Sequence, residues 1–318
     1  MINRMEIWIM SASQRGRTGE KMAKANTWLA QFIEEEIRKY GGVMVPVKAS
    51  VLERAIIRNV TAGKLHPNPD DEFCVPSIGP NYGIIANYES IFRRYGSMHT
   101  KLNDEPLMVQ KVHPDGYMIL NGHHRWVAAM QSEIKWIPIS IINLTQETDI
   151  ENMLRASNHD KRVTLDLDEV VFAVGEGMPA EKPLHFPVNK IYKERIRLGI
   201  PALLHYLGKE GYDIWVYTAK YYSYDYISAY FRRYSVKVDG VITGTVRKTK
   251  AGSEAKKRTE QLFAAKYVET LHIDNDMVLR TFRDSREHEE YVLEDTGIGW
   301  SKAVMEVVKG FKKTVRRI

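Results

Sequence analysis

The chain has a single cysteine, Cys74, among 318 residues. An internal disulfide and a cysteine-built zinc cage are thereby excluded, and a lone thiol is more often a small core residue than a nucleophile. No apolar run is long enough to cross a bilayer. The opening stretch MINRMEIWIMSASQRGRTGEKMAK has charges on both sides of its short apolar patch and no small-residue cleavage site, so it does not read as a secretory leader. Internal repeats and low-complexity segments are absent as well. These absences leave a soluble protein, expected in the cytoplasm and not at a membrane. Acidic residues are outnumbered, 40 against 46 Lys and Arg, for a net charge of +6. Such a balance suits acidic partners, with nucleic acid, nucleotides or phosphoproteins ahead of membranes. TVRKTKAGSEAKKR (Thr245 to Arg258) and the terminal KGFKKTVRRI are the densest basic runs, and each reads equally well as a phosphate track or a solvated face.

A chain of this length is expected to form two domains. Met22, Trp28, Leu29, Phe32, Ile33 and Ile37 recur at helical spacing and run to Gly41-Gly42, which predicts a helical extension over residues 1–42. From 43 to 150, short β-like runs (Val43–Val47, Leu107–Val112, Tyr117–Leu120, Ile137–Ile142) alternate with helical pieces and the loop HPNPDDEFCVPSIGPN, the pattern of a small α+β domain. From 151 to 318, apolar strands separated by helices predict an α/β domain built on a parallel sheet.

The second domain carries the denser chemistry. In VTLDLDEVV an apolar strand runs into Asp166 and Asp168, and side chains two apart on a strand share a face. Two carboxylates so placed repel unless a cation or a shared proton sits between them, and an all-oxygen set points to Mg²⁺. A second strand ends on Thr218, whose hydroxyl can bond a phosphoryl oxygen, and a third on Asp274 and Asp276. Lysines between these strands can balance phosphate charge. Asp166 and Asp168 also read as ordinary strand-end residues that cap a turn, and Asp276 as a turn residue. DLDEVV, VYT, a lysine and IDND, in this order, resemble the four motifs of the haloacid dehalogenase superfamily of phosphohydrolases, over Arg162 to Lys309. The resemblance implies Asp166 as the nucleophile that forms an aspartyl-phosphate, Asp168 as general acid/base, Thr218 holding the phosphoryl group, and Lys256 as the lysine, with Lys248, Lys250 and Lys257 also in range. It implies a Mg²⁺ site drawn from Asp166, Asp168, Asp274 and Asp276, although one residue between the last two departs from the family's usual spacing. Between the motifs there is room for only a proline-rich flap and single helices, so a minimal cap over a three-layer Rossmannoid core is expected.

The first domain contains NGHHRWVAA. Gly122 stands at a strand-to-helix turn whose N–H groups favour an anion, and Arg125 in the first helical turn is a bidentate phosphate donor. His123 and His124 make a poor zinc pair, because adjacent histidines do not readily share one metal. The Gly-x-His-Arg-x-x-Ala pattern resembles the ParB/sulfiredoxin superfamily over Val43 to Leu144. That implies a nucleotide (ATP, ADP or CTP) at a site formed by Asn121, Gly122, His123, His124 and Arg125, with Glu72 as a further carboxylate. The cysteine that sulfiredoxins place before His-Arg is His123 here, and the aspartate of free-serine kinases is Asn121, an amide that takes no proton at neutral pH.

Together these readings give an α/β protein that acts on a phosphorylated substrate, a nucleotide or a nucleic-acid end among the candidates. Two alternatives differ in kind: a nucleotide-gated nucleic-acid-binding regulator, and a small-molecule kinase that uses the NGHHR loop.

Overall fold

The computed structural model describes residues 28–38, 43–98, 105–175, 177–244, 250–283, 285, 288–294 and 297–315. The glycine stop at Gly41-Gly42, Lys248 and most of the Thr245–Lys250 run lie outside them. The chain divides between Asn143 and Leu144 into two compact units.

In the first unit the sheet order is β2(Arg58–Val60)-β6(Ile137–Ile141)-β4(Leu107–His113)-β5(Tyr117–Asn121)-β3(Leu65–His66), and β1(Val45–Pro46) adds to β4. The pairing is mixed: β4 is parallel to β6 and antiparallel to β5. Residues 28–38 form helix α1; α2 is Val51–Arg54, α3 Tyr82–Tyr95 and α4 His123–Gln131. The apolar stripe read in the N-terminal segment explains where α1 goes: Leu29 and Ile33 are buried with Val109, Ile119, Trp126 and Val127 in one core, and Phe32 packs against Trp126. Ser50 and Glu53 form a reciprocal capping box at α2, which satisfies two otherwise orphaned N–H groups. Cys74 is buried, with burial pushing its thiol up to about 12. It is a core residue here.

The second unit has a six-stranded sheet, β12(His288–Val292)-β11(Met277–Phe282)-β10(Glu269–Ile273)-β7(Lys161–Asp166)-β8(Tyr212–Thr218)-β9(Gly240–Thr243). The four strands from β10 to β9 are parallel, whereas β11 and β12 run antiparallel to their neighbours. This antiparallel edge departs from the all-parallel reading, and its cause is local: Asp274-Asn275-Asp276 turns the chain straight back, Asp274 N donating to Met277 O at 2.9 Å. Val163, Leu165, Ile214, Val216, Leu271 and Ile273 pack on one face against α6(Ile200–Lys209), α7(Tyr224–Arg233) and α9(Trp300–Val315). Trp215 on the other face meets Ile150 and Leu154 of α5(Glu147–Ala156) and Phe263 of α8(Lys250–Lys266). Helices on both faces keep β8 and β9 largely apolar, whereas β7 and β10 alternate buried apolar residues with Lys161, Arg162, Thr164, Glu269, Thr270 and His272. Gly240 lies against the Trp215 ring, where a Cβ would come within 2.1 Å. Among the described residues no helix is long and apolar enough to cross a membrane.

Candidate functional sites

In the second unit β7 stops at Asp166 because that side chain ends it. Asp166 Oδ1 accepts from the N–H groups of Asp168 (2.7 Å) and Glu169 (2.9 Å) and starts a single π-helical turn, Leu167–Val171. Asp168 therefore lies on that turn and not two places along a strand, which corrects the alternation argument made from sequence. The turn still brings its carboxylate to the end of β8: buried Thr218 Oγ1 donates to Asp168 Oδ2 at 2.6 Å. Lys220 Nζ lies 2.9 Å from Asp168 Oδ1, with 60% of its side chain exposed. Its backbone N–H donates to Thr218 Oγ1 at 3.0 Å. Asp166, Asp168, Thr218 and Lys220 thus gather at the carboxyl ends of neighbouring central strands, where open α/β sheets place their ligands.

The other expected members of this site are arranged differently. Lys256 is exposed on α8, and Lys220, not considered in the sequence reading, is the cation at Asp168. Its signal was visible in VYTAK, since a lysine two residues beyond a strand-end threonine cannot be far from that strand's edge. Asp274 and Asp276 are exposed in the β10–β11 turn. Asn275 between them is tied in: Arg197 Nη1 donates to its Oδ1 (2.7 Å), its Nδ2 donates to Glu169 O (3.1 Å), and Trp300 Nε1 donates to its carbonyl (2.8 Å). Among the described residues no three of His, Cys, Asp and Glu come together as a metal site requires. Lys220 is the cation that faces Asp168, while Asp274 and Asp276 stand exposed in the turn after β10.

In the first unit the loop after β5 depends on Gly122, which has φ of +107° and caps α4; a Cβ there would lie 2.4 Å from Leu107 Cδ2. Only glycine adopts such a backbone without strain. The two histidines turn inward from this corner. His123 Nε2 accepts from Asn68 N–H at 3.1 Å, and His124 Nε2 accepts from Asn81 N–H at 2.9 Å. Phe73 stacks on the His123 ring and meets His124 edge-on, each at 5.1 Å. The pair therefore fastens both ends of the HPNPDDEFCVPSIGPN loop, with each Nε2 lone pair used on backbone. Arg125 is buried and aims Nη1 at Glu105 O, 2.6 Å away. Glu72 is exposed on a short 3₁₀ turn. Asp71, which the sequence reading passed over, is the carboxylate that approaches His123 Nδ1, at 3.6 Å. Asn121 ends β5, opposite Met108, where the ladder is irregular. What the corner offers a ligand is the backbone of the first turn of α4.

Burial holds His123 well below its ordinary value of 6.5, at about 4, Asp71 opposing this and His124 adding to it. Between those two values the unfolded chain takes up a proton that the folded chain refuses, so stability falls as pH drops from 6.5 toward 4. Urea midpoints measured across that window are expected to decline, and His123→Gln should flatten the decline. An unchanged slope in that variant would assign the acid sensitivity to other groups.

Comparison with known proteins bears on this first corner. Residues 88–158 match the ParB N-terminal domain. The ParB-like segment starts within α3, takes in β4, β5, the Gly122 corner, α4 and β6, and ends just past α5. Among solved structures, the C-terminally truncated chromosome-partitioning protein ParB from Caulobacter crescentus, complexed with CTP-gamma-S, is similar at 22% identity with a TM-score of 0.23. The match covers 33% of this chain and 56% of that one, so the chain spans little more than half of that protein's length. No curated protein matches the chain.

Proposed function

We propose that the protein is a phosphoryl-processing enzyme of the haloacid dehalogenase type, with the reacting centre at Asp166 and a ParB-like segment that binds a nucleotide at the Gly122 corner. The observation that carries this reading is the gathering of Asp166, Asp168, Thr218 and Lys220 at the ends of β7 and β8. In the proposed cycle Lys220 leaves Asp168 and Asp168 takes up a proton from solvent; an Asp166 oxygen then attacks phosphorus and the bond to the leaving oxygen breaks as Asp168 gives that oxygen its proton. Water then attacks the aspartyl-phosphate, Asp168 takes the proton from the water, and phosphate leaves with Asp166 restored. Lys220, mostly exposed, can swing from Asp168 onto the phosphoryl oxygens, where an ammonium offsets their charge. Thr218 fixes the Asp168 carboxylate from below.

Phosphate release should be assayed with nucleotides, phosphoamino acids and 3′- or 5′-phosphorylated oligonucleotides, each with Mg²⁺ and with EDTA. Release that needs Mg²⁺ would show that the carboxylates rearrange around a metal when substrate arrives. Release that persists in EDTA would give Lys220 the charge-balancing role alone. No release from any substrate would overturn the reading. Lys220→Met is expected to lower kcat/KM by roughly ten- to a hundred-fold, the scale of losing one charge-assisted hydrogen bond to an oxyanion. Unchanged kinetics in that variant would remove Lys220 from the cycle.

A second reading has its own support in the match to the ParB N-terminal domain. In it the chain is a nucleotide-gated regulator that binds nucleic acid, and the net charge of +6 suits that partner. Nucleotide-dependent retention of duplex DNA that is indifferent to Asp166→Asn would favour it. The small-molecule kinase reading has less to stand on, since Asn121 offers no base.

A further inference from the structure

The tyrosines that follow Thr218 take no part in the cycle above, yet they stand beside it. Phe172 closes the π-helical turn that carries Asp168, and Tyr222 comes two residues after Lys220. Their rings meet edge-on, 6.3 Å apart at 67°. Tyr226, one turn into α7, lies parallel to Tyr222 at 6.0 Å and 5°. Glu194 locks this group from the facing loop: its carboxylate accepts from Tyr226 OH at 2.8 Å and its carbonyl from Tyr230 OH at 2.7 Å. Backbone bridges at Phe172–Ile196 and Ala180–Arg197 anchor that loop in turn. Burial first, then Glu194, with Asp168 the smallest cause, push the Tyr222 phenol far above its ordinary value. Phe172 is buried, whereas Tyr222 and Tyr226 are half-buried.

We propose that Tyr222, backed by Phe172 and Tyr226, is the leaving-group subsite, selecting phosphorylated substrates whose leaving group carries a planar aromatic ring close to the phosphoryl group. The assignment rests on the phosphoryl-processing reading and names its substrate class. A flat ring loses little freedom on stacking against rings already held by hydrogen bonds, and aromatic contacts of this kind favour the ringed ligand by roughly five- to ten-fold. An aliphatic phosphate gains nothing from the same wall. An aryl group and a nucleobase share this chemistry.

The test compares phenylphosphonate with methylphosphonate, which bind without turnover, by calorimetry on the full chain. Phenylphosphonate is expected to bind roughly five- to ten-fold tighter. That preference should collapse in Tyr222→Leu and persist in Tyr222→Phe, which keeps the ring and loses only the hydroxyl. A second pair, uridine 5′-monophosphate against ribose 5-phosphate, distinguishes the sources: a Tyr222-dependent gain from the base identifies a nucleotide, and a gain confined to the phenyl pair identifies an aryl phosphate. Equal affinities in both wild-type pairs would overturn the subsite, as would a preference that survives Tyr222→Leu. Should Tyr222→Leu fail to fold, the wild-type ratios and Tyr222→Phe still decide. Aryl preference without any turnover of phenyl phosphate would overturn the reaction and leave the subsite standing. Failure of every phosphonate and phosphate to bind would overturn both.

Discussion

Asp166→Asn is expected to abolish phosphate release, by roughly a thousand-fold or more, as loss of an attacking atom does in covalent catalysis. The substitution is informative because it separates chemistry from folding. Asp166 Oδ1 accepts the N–H groups of Asp168 and Glu169, and an amide oxygen can accept them too. The π-helical turn should therefore persist, Asp168 should still reach Thr218, and only the nucleophile should be gone. Asp166→Ala removes the cap as well and is expected to cost about 1 kcal/mol of stability in addition. The measurement is phosphate release under single-turnover conditions beside a thermal melt of each variant. An Asn variant that melts like wild type and still releases phosphate at the wild-type rate would show that Asp166 is a capping residue alone. Trapping of a phosphorylated chain in wild type, lost in the variant, would add direct support for the aspartyl-phosphate.

The second large effect is structural. Gly122→Ala is expected to destabilise the first unit by about 2–4 kcal/mol, combining a positive φ that alanine resists with a clash in a packed core. Both causes are local and measurable: φ is +107°, and the new Cβ would stand 2.4 Å from Leu107 Cδ2, a fully buried atom group at the head of β4. Arg125 Nη2 lies 3.0 Å from the same point, so relief on one side worsens the other. Gly63→Ala is the matched control, because nothing lies within 4 Å of its added Cβ. Chemical denaturation should show a weakened transition for Gly122→Ala and almost none of that change for Gly63→Ala. Equal stability of the two would mean that the corner relaxes freely, and its preformed backbone could then no longer be offered as the nucleotide site.

How much could be read from the chain varies residue by residue. The helical stripe of Leu29, Phe32 and Ile33 was legible because period 3.6 is a property of adjacent residues; that it packs against Trp126 was not, because that contact spans ninety-odd positions. The ends of β7 and β8 were legible as apolar runs stopped by Asp166 and Thr218. The position of Asp168 was misread, since its backbone leaves the strand as soon as Asp166 caps the following N–H groups. The family order of motifs points downstream to Lys256, whereas the cation at Asp168 is set by a two-residue step beyond β8 that brings in Lys220. Asp71 and Asn275 carried no pattern at all. Each matters through a partner far away in sequence, His123 for one and Glu169, Arg197 and Trp300 for the other.

The histidines divide the two kinds of knowledge most sharply. NGHHR by itself fixed a glycine turn, a helix start and a polar corner, since those follow from φ preference and from unpaired N–H groups at a helix N-terminus. What the imidazoles do there depends on partners more than forty residues away: each spends its Nε2 on a backbone N–H of the preceding loop, Asn68 for one and Asn81 for the other. Composition, periodicity and turn chemistry are short-range, so the sequence alone determined the elements, their order and the acidic strand ends. Which carboxylate meets which cation depends on strands brought side by side by a sheet order that no local pattern encodes.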